Sequence, residues 1–261
     1  MDENYQTYLN RAVRLTLPET YRSQVQHLQE SPKFQLEAAK GRQPAPFPGY
    51  TIVTPPGKED AKNAALHESL TQYQQQLLHK LGAELFVPVP PASFHMTLAD
   101  LIWDNAYRDA SQEKPEFEVQ LQDQIATIFR QSHAMTEGKP LQFQALGLMV
   151  MPRAIAVCLA PADEHSYDRV LKLRRAVFQN SDLIGLGIEQ QYYFTPHITL
   201  GYFGSIPSPE ALVELGDSFV QLNQQWLEQE TKAFWVDRAE LRKFDDMTHY
   251  YRKPDWAMFE F

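Results

Sequence analysis

The sequence predicts a fold of mixed helices and strands arranged as two similar lobes. Apolar runs typical of strands alternate with apolar stripes at helical spacing along the 261-residue chain. The order strand, helix, strand, helix occurs twice, and the strands that open the two units begin 104 residues apart, at Tyr50 and Ala154. A content of 43% hydrophobic residues is typical of a chain with a packed core rather than of a disordered one.

The first unit contains three predicted strands and two predicted helices. The strands lie at residues 50–54, 93–103 and 142–151, and the helices at residues 60–81 and around 121–129. The second unit begins with a strand at 154–160 and continues with a helix at 164–180, a strand at 190–203 and a helix at 208–228.

The two units are predicted to lie in one region, residues 49–261, whose tail after residue 245 adds strand-like segments. Residues 1–48 are interpreted as an N-terminal extension. It contains a possible helix around residues 18–30 and then a proline-rich stretch that favours an extended path.

Charge and cysteine content narrow the classes of function. The formal net charge of −9 argues against binding of extended nucleic acid, although a small phosphorylated ligand in a local pocket is compatible with it. The single cysteine, Cys158, cannot form an internal disulfide and is expected to be buried. The apolar region 145–162 contains a Pro-Arg pair, which favours two strands and a turn over a membrane helix. We therefore expect a cytoplasmic protein with no membrane partner.

One short motif occurs twice. The sequence FHMTLADL spans residues 94–101 and PHITLGYF spans residues 196–203, so that the two motif histidines are 102 residues apart. Because a strand places residues i and i+2 on the same face, His95 is expected to align with Thr97, and His197 with Thr199. If the lobes pack about a pseudo-two-fold axis, both pairs face one cleft.

Two imidazoles beside one small site are typical of general acid–base chemistry. With an unperturbed pKa near 6.5, one can be neutral and the other protonated at neutral pH. Such a pair suits in-line displacement at phosphorus, with one histidine as base and the other as acid, and the sequence leaves open which is which. The threonine hydroxyls can hold the phosphate oxygens, so we expect neither a metal nor another cofactor.

Other residues are candidates for substrate binding. Tyr50 and Tyr202 can stack on a base or line the cleft, and Arg153 can bring positive charge toward a phosphate. The alternative is that the tyrosines belong to the core and that Arg153 is a solvated surface cation. The weaker candidates are Arg242, Lys243, Tyr250 and Tyr251.

Other interpretations of the histidines do not involve catalysis. The motif histidines can be half-buried strand residues with satisfied hydrogen bonds. The sequence His67-Glu68-Ser69 lies in a predicted helix, where residues i and i+2 do not share a face, and is set aside. The acidic residues of FDDMTHYY, with His249, suggest a turn or a metal cluster, and a metal site needs more ligands than this.

The paired motifs resemble those of the two-histidine phosphoesterase superfamily, which includes the RNA ligase-T-like 2′,3′-cyclic phosphodiesterases. The residues that carry the resemblance are His95-Met96-Thr97-Leu98 and His197-Ile198-Thr199-Leu200. The resemblance covers residues 49–245 and implies an α+β, bilobal fold. In that fold two antiparallel sheets with flanking helices are related by a pseudo-two-fold axis around a central cleft. The first 48 residues and the tail resemble a less characterised bacterial subgroup.

The resemblance also implies a function. We expect a metal-independent phosphodiesterase that acts on a cyclic phosphate, or on a phosphodiester of a small nucleotide or RNA end, and that works as a monomer. His95 and His197 would be catalytic, and Thr97, Thr199, Tyr202, Tyr50 and Arg153 would bind the substrate. The alternative is a non-catalytic nucleotide- or RNA-binding module that retains the cleft.

Overall fold

The structure is a computed structural model that describes residues 2–133, 136–230 and 232–261. The helices are α1 (Tyr5–Arg14), α2 (Pro18–Gln24), α3 (Ala64–Leu81), α4 (Asp104–Glu113), α5 (Phe117–Ser132), α6 (Glu164–Phe178), α7 (Ser181–Gly185) and α8 (Pro209–Leu227). Short 3-10 helices occur at Val25–His27, Gly57–Glu59, Ala61–Asn63 and Pro91–Ser93.

The strands form two main antiparallel sheets and one hairpin. They are β1 (Phe34–Glu37), β2 (Gly41–Pro44), β3 (Gly49–Val53), β4 (Phe86–Pro88), β5 (Thr97–Trp103), β6 (Leu141–Val150), β7 (Ala154–Pro161), β8 (His197–Phe203), β9 (Ala233–Val236), β10 (Arg238–Asp246), β11 (His249–Tyr251) and β12 (Met258–Glu260). The first sheet has the order β11-β10-β3-β5, and β12 also pairs with β10. The second sheet has the order β4-β8-β7-β6-β9, and β1 and β2 form the hairpin. The α+β fold with two antiparallel sheets and flanking helices is therefore confirmed.

The two lobes exchange their helices. Helix α3 precedes β5 in the chain, but it packs against β4 and β8 of the second sheet. Helix α6 precedes β8, but it packs against β5 of the first sheet as well as against β7. Because each helix contacts the motif strand of the other lobe, helix–sheet packing joins the two lobes in addition to the contact at the edges of the sheets.

The N-terminal extension is part of this core. Tyr8 of α1 and Tyr21 of α2 are fully buried. Their hydroxyl groups donate to the carbonyls of Leu159 and Leu148 in the second sheet, at 3.0 and 2.7 Å. The predicted helix around residues 18–30 is found as α2 and a short 3-10 turn, whereas α1 and the β1–β2 hairpin were not predicted from the sequence.

Most predicted elements are present, with shifts at their ends that have local causes. The strand expected at 190–203 begins only at His197, because Pro196 cannot donate a backbone hydrogen bond to a neighbouring strand. The strand expected at 93–103 begins at Thr97, after a 3-10 turn that starts with Pro91. Cys158 is buried, as expected. Within the described residues, no helix has both the length and the apolar composition that crossing a bilayer requires.

Candidate active site

The two motifs lie side by side at the junction of the sheets. Met96 and Ile198 form an isolated antiparallel bridge, and both side chains are fully buried. In an antiparallel pair, the residues before and after the bridged positions also lie opposite each other, with their side chains on the other face. The polar residues on that face are partly exposed and form two cross-strand pairs, His95 with Thr199 and Thr97 with His197.

This pairing sets the distance between the imidazoles. Directly opposed residues have Cβ atoms about 5 Å apart, and diagonal neighbours such as His95 and His197 are separated by roughly 7–8 Å. An anion the size of a phosphate that lies between the diagonal histidines can contact both rings and both threonine hydroxyls. The interpretation of the histidines as unrelated strand residues does not account for this convergence.

Both histidines are held in the same tautomer by equivalent hydrogen bonds. Nδ1 of His95 lies 2.7 Å from the carbonyl oxygen of Ser93, and Nδ1 of His197 lies 2.7 Å from that of Thr195. A carbonyl oxygen only accepts, so the partner assigns the proton of each ring to Nδ1. Nε2 is then the ring nitrogen left for a ligand in both motifs.

The surroundings disfavour charge on both rings, although water reaches part of each. Burial lowers the pKa of His95 to about 4; the hydrogen bond to Ser93 opposes the shift, and the charges of His197 and Arg242 reinforce it. Burial also lowers the pKa of His197, but there the Thr195 carbonyl and the carboxylate of Asp100 oppose the shift. Both imidazoles are therefore predominantly neutral at pH 7 when no ligand is bound.

A β-bulge follows each motif and brings a new residue to the motif face. Against β3, strand β5 carries two extra residues, Leu98 directly after the motif and Leu101 further along, and against β7, strand β8 carries one extra residue, Leu200. Each bulge reverses the alternation of side chains beyond it. As a result, the residue five positions after each histidine faces the same side as that histidine. These residues are Asp100 and Tyr202. We call the surface formed by His95, Thr97, Asp100, His197, Thr199 and Tyr202 the central cleft.

The exchanged helices support the two bulges in equivalent ways. Arg174 of α6 donates to the carbonyl of Leu98, and Gln74 of α3 donates to the carbonyl of Leu200 at 2.7 Å. Both donor side chains are buried. A buried carbonyl needs a hydrogen-bond partner, so these contacts stabilise the bulged conformation that orients Asp100 and Tyr202.

Tyr250 of β11 borders the cleft beside the first motif. Its ring centroid lies 4.3 Å from that of His95. Tyr250 pairs with Phe244 across the sheet, whereas Tyr251 pairs with Lys243 on the opposite face. Arg242 lies near enough to influence His95, but it is buried and forms ion pairs with Glu240 and Glu59.

The family comparison agrees with the paired motifs. Residues 37–136 match the family model described as "2H-phosphodiest: Domain of unknown function (DUF1868)", and the first motif lies inside this segment. This segment belongs to the two-histidine phosphoesterase superfamily. The resemblance seen in the sequence is thereby confirmed. A search of curated protein sequences found no match.

Solved structures were also compared with the chain. A conserved protein of unknown function from Agrobacterium tumefaciens is 17% identical, with a TM-score of 0.57 over 87% of this chain and 91% of that chain. This likeness shows a shared fold. Escherichia coli LigT complexed with 3′-AMP is 12% identical, with a TM-score of 0.42 over 83% of this chain and 98% of that chain. Usb1 from Kluyveromyces marxianus, solved with uridine monophosphate, is 11% identical, with a TM-score of 0.43 over 82% of this chain and 97% of that chain.

The structure brings five of the predicted site residues together and leaves two apart. The five are His95, Thr97, His197, Thr199 and Tyr202. Of these, Tyr202 is buried, and its ring packs against that of Phe34 with centroids 5.5 Å apart. Tyr50 is fully buried on the other face of the first sheet, where its hydroxyl donates to Glu118 at 2.7 Å and accepts from Gln122 at 2.9 Å. Arg153 is exposed in the β6–β7 turn and donates to Gln29 at 3.1 Å rather than to a motif residue.

Two residues were missed from the sequence: Asp100, which belongs to the central cleft, and Lys33, whose ammonium group lies 5.2 Å from the centre of the Tyr202 ring. Asp100 follows His95 at the same offset at which Tyr202 follows His197, but regular alternation would turn both away from the histidines. Lys33 comes from the N-terminal extension, far from either motif in the sequence.

The suggested acidic cluster near His249 is a turn, in which His249 contacts Asp245 at 3.1 Å and Asp246 accepts from the backbone N–H of Thr248.

The position of Tyr50 leads to a first prediction. We expect Tyr50→Phe to lower the free energy of unfolding by about 1 kcal/mol, because the substitution removes one buried hydroxyl from the contacts with Glu118 and Gln122. The catalytic efficiency for any substrate should not change. Chemical denaturation and steady-state kinetics on the same preparation measure both quantities. A tenfold loss of kcat/KM would mean that Tyr50 acts in the site.

A second prediction concerns the bulge supports. We expect Arg174→Met and Gln74→Leu each to lower the free energy of unfolding by about 1–3 kcal/mol, because each removes a buried side-chain donor from a strand carbonyl. The carbonyl of Leu200 keeps the backbone N–H of Val89 as a donor at 3.1 Å, so the smaller effect is expected for Gln74→Leu. Denaturant titration monitored by circular dichroism measures the change.

Each helix offers a matched control for these two variants. Arg175 and Gln75 are the next residues in α6 and α3, and both side chains are exposed. Arg175→Met and Gln75→Leu should change the free energy of unfolding by less than about 0.5 kcal/mol. Equal effects at the buried and the exposed positions would show that the carbonyl contacts do not support the bulges.

Proposed function

We propose that the protein is a metal-independent phosphodiesterase that acts on a cyclic phosphate, or on a phosphodiester of a nucleotide or RNA end. The observation that carries this proposal is the Met96–Ile198 bridge, which puts both histidine–threonine pairs on one partly exposed face. Membership of the matched segment in the two-histidine phosphoesterase superfamily supports the same reaction class.

In this mechanism the phosphate lies between the diagonal imidazoles. The neutral histidine accepts a proton at Nε2 from the attacking water, and the water oxygen forms a bond to phosphorus. The protonated histidine donates the proton of its Nε2 to the ribose oxygen as the P–O bond breaks. The hydroxyls of Thr97 and Thr199 donate to the non-bridging oxygens, where negative charge increases in the transition state. Proton exchange with solvent then restores both rings.

The charges around the cleft assign different roles to the two histidines. The carboxylate of Asp100 favours the protonated form of His197 more than Lys33 disfavours it, whereas the charges near His95, those of His197 and Arg242, both disfavour its protonated form. An anionic phosphate raises the pKa of both rings when it binds, and His197 is the ring whose surroundings already favour a proton. We therefore assign His197 as the general acid and His95 as the general base.

The reaction class is tested with nucleoside 2′,3′-cyclic phosphates in the presence of EDTA. We expect hydrolysis by the unmodified protein and a fall in kcat of about 10²- to 10⁴-fold in both His95→Ala and His197→Ala. Tyr50→Phe serves as a control that leaves the cleft intact. Unchanged turnover in either histidine variant would contradict the assigned roles. Binding without turnover in the unmodified protein would favour the non-catalytic nucleotide- or RNA-binding module.

The assignment of roles predicts the pH dependence of kcat/KM. Activity should fall as the pH decreases through about 4, because His95 is then protonated and cannot accept a proton. It should also fall as the pH rises through the lowered pKa of His197, because the acid is then lost. The optimum should lie on the acidic side of neutrality.

The variant Asp100→Asn tests whether His197 sets the basic limb of this pH profile. Removal of the carboxylate lowers the pKa of His197 further, so we expect the basic limb to move to lower pH while the acidic limb stays in place. The substitution preserves the shape of the side chain, and kcat/KM measured from about pH 3 to about pH 8 gives both limbs. If only the acidic limb moved, Asp100 would act on His95 rather than on His197, and the charge argument for the assignment of roles would fail.

A further inference from the structure

Part of the N-terminal extension crosses from one lobe to the other. We call residues 29–47 the strap. The backbone N–H groups of Gln29 and Ser31 donate to Pro152 and Phe203 at the end of the second sheet, at 2.7 and 2.9 Å. At the other end of the strap, the N–H of Phe47 donates to Asp245 of β10 at 2.8 Å. The strap is therefore tied to both lobes.

Lys33 lies on the strap where the hairpin begins, and its side chain reaches toward the central cleft. The backbone carbonyl of Lys33 accepts from Ala45 at 2.9 Å, which closes the base of the hairpin. Its ammonium nitrogen lies 4.6 Å from the centre of the Phe47 ring and 5.2 Å from that of Tyr202. Because the bulge in β8 turns Tyr202 to the motif face, this ammonium group lies on that face beyond Thr199 along β8.

The charge of Lys33 is only weakly compensated. Among the described residues, its ammonium group contacts the two rings but has no hydrogen bond or ion pair with a carboxylate. Burial lowers the pKa of Lys33, the more distant charge of Asp100 opposes the shift, and that of Arg153 reinforces it. A desolvated cation without a direct anionic partner is a favourable site for an anion from outside the protein.

The distance from the motifs distinguishes this position from the scissile phosphate. Tyr202 follows Thr199 by three residues on the same strand, which corresponds to roughly 10 Å at the rise of a β-strand. Between the two positions, the rings of Phe47, Phe244 and Tyr250 follow one another, with centroids 6.5 and 5.2 Å apart, up to the ring of His95. This spacing leaves room for one nucleoside beside an aromatic wall.

We propose that Lys33, with the rings of Phe47 and Tyr202, binds a second phosphate of the substrate, one nucleoside away from the phosphate that reacts. The inference rests on the proposed function and narrows it. The preferred substrate is a nucleotide with a further phosphate, or the end of an oligonucleotide, rather than a nucleoside cyclic phosphate alone.

The test compares adenosine 2′,3′-cyclic phosphate with the same compound carrying a 5′-phosphate. We expect the unmodified protein to have a lower KM for the 5′-phosphorylated compound. Lys33→Ala should raise that KM about tenfold or more, because it removes a charge-assisted contact. For the unphosphorylated compound, kcat/KM at the pH optimum should stay within about twofold, and the basic limb should move to higher pH because Lys33 no longer lowers the pKa of His197. Lys33→Arg should retain the preference.

Lys40 provides the matched control on the same hairpin. Its side chain is 71% exposed and pairs with Glu37, so Lys40→Ala should leave both KM values unchanged. The proposal is overturned if the unmodified protein shows no preference, or if Lys33→Ala weakens both substrates equally. The second result would place Lys33 on the reacting phosphate.

A binding measurement separates this proposal from the proposed function. Calorimetry with adenosine 3′-monophosphate and adenosine 3′,5′-bisphosphate needs no turnover. We expect tighter binding of the bisphosphate and loss of that difference in Lys33→Ala. If the cyclic phosphates were not hydrolysed while this difference remained, the subsite would stand and the phosphodiesterase assignment would fail. Equal affinities for the two ligands would exclude the subsite.

Discussion

The antiparallel bridge between Met96 and Ile198 is the contact on which the site depends. It is a short backbone contact between two buried apolar residues, yet it fixes which residues face each other across the pseudo-two-fold axis. Because side chains alternate along a strand, burial of these two residues forces the flanking histidines and threonines onto the opposite face. The apolar side of each motif thus determines the position of its polar side.

The same pairing would produce two equivalent histidines if the lobes were identical. The proposed acid–base chemistry, however, needs one histidine that accepts a proton and one that donates a proton. The difference arises just beyond the motifs, where the two bulges present a carboxylate on one strand and an aromatic ring on the other. Arg242, in its buried ion pairs, adds positive charge near the first histidine. Backbone symmetry therefore brings the two rings together, and the side chains around them make their electrostatic surroundings different.

The N-terminal extension joins the core and the cleft. Its first helices bury tyrosines against the second sheet, and the strap then carries Lys33 to the end of the cleft. The segment that was interpreted from the sequence as an N-terminal extension thus places a charge beside Tyr202 of the central cleft. Under the proposal of a second phosphate site, this charge would influence which substrate is preferred.

The sequence by itself determined the fold class, most of the elements, and the four motif residues, because hydrophobic periodicity and the repeated motif are local signals. It also identified Tyr202 as a cleft residue, although alternation alone would have turned that side chain away. Only the tertiary structure excluded Tyr50 from the cleft and revealed Asp100 and Lys33. A bulge is defined by the pairing of two strands, and the reach of the strap depends on contacts with both lobes, so neither is encoded in a local pattern.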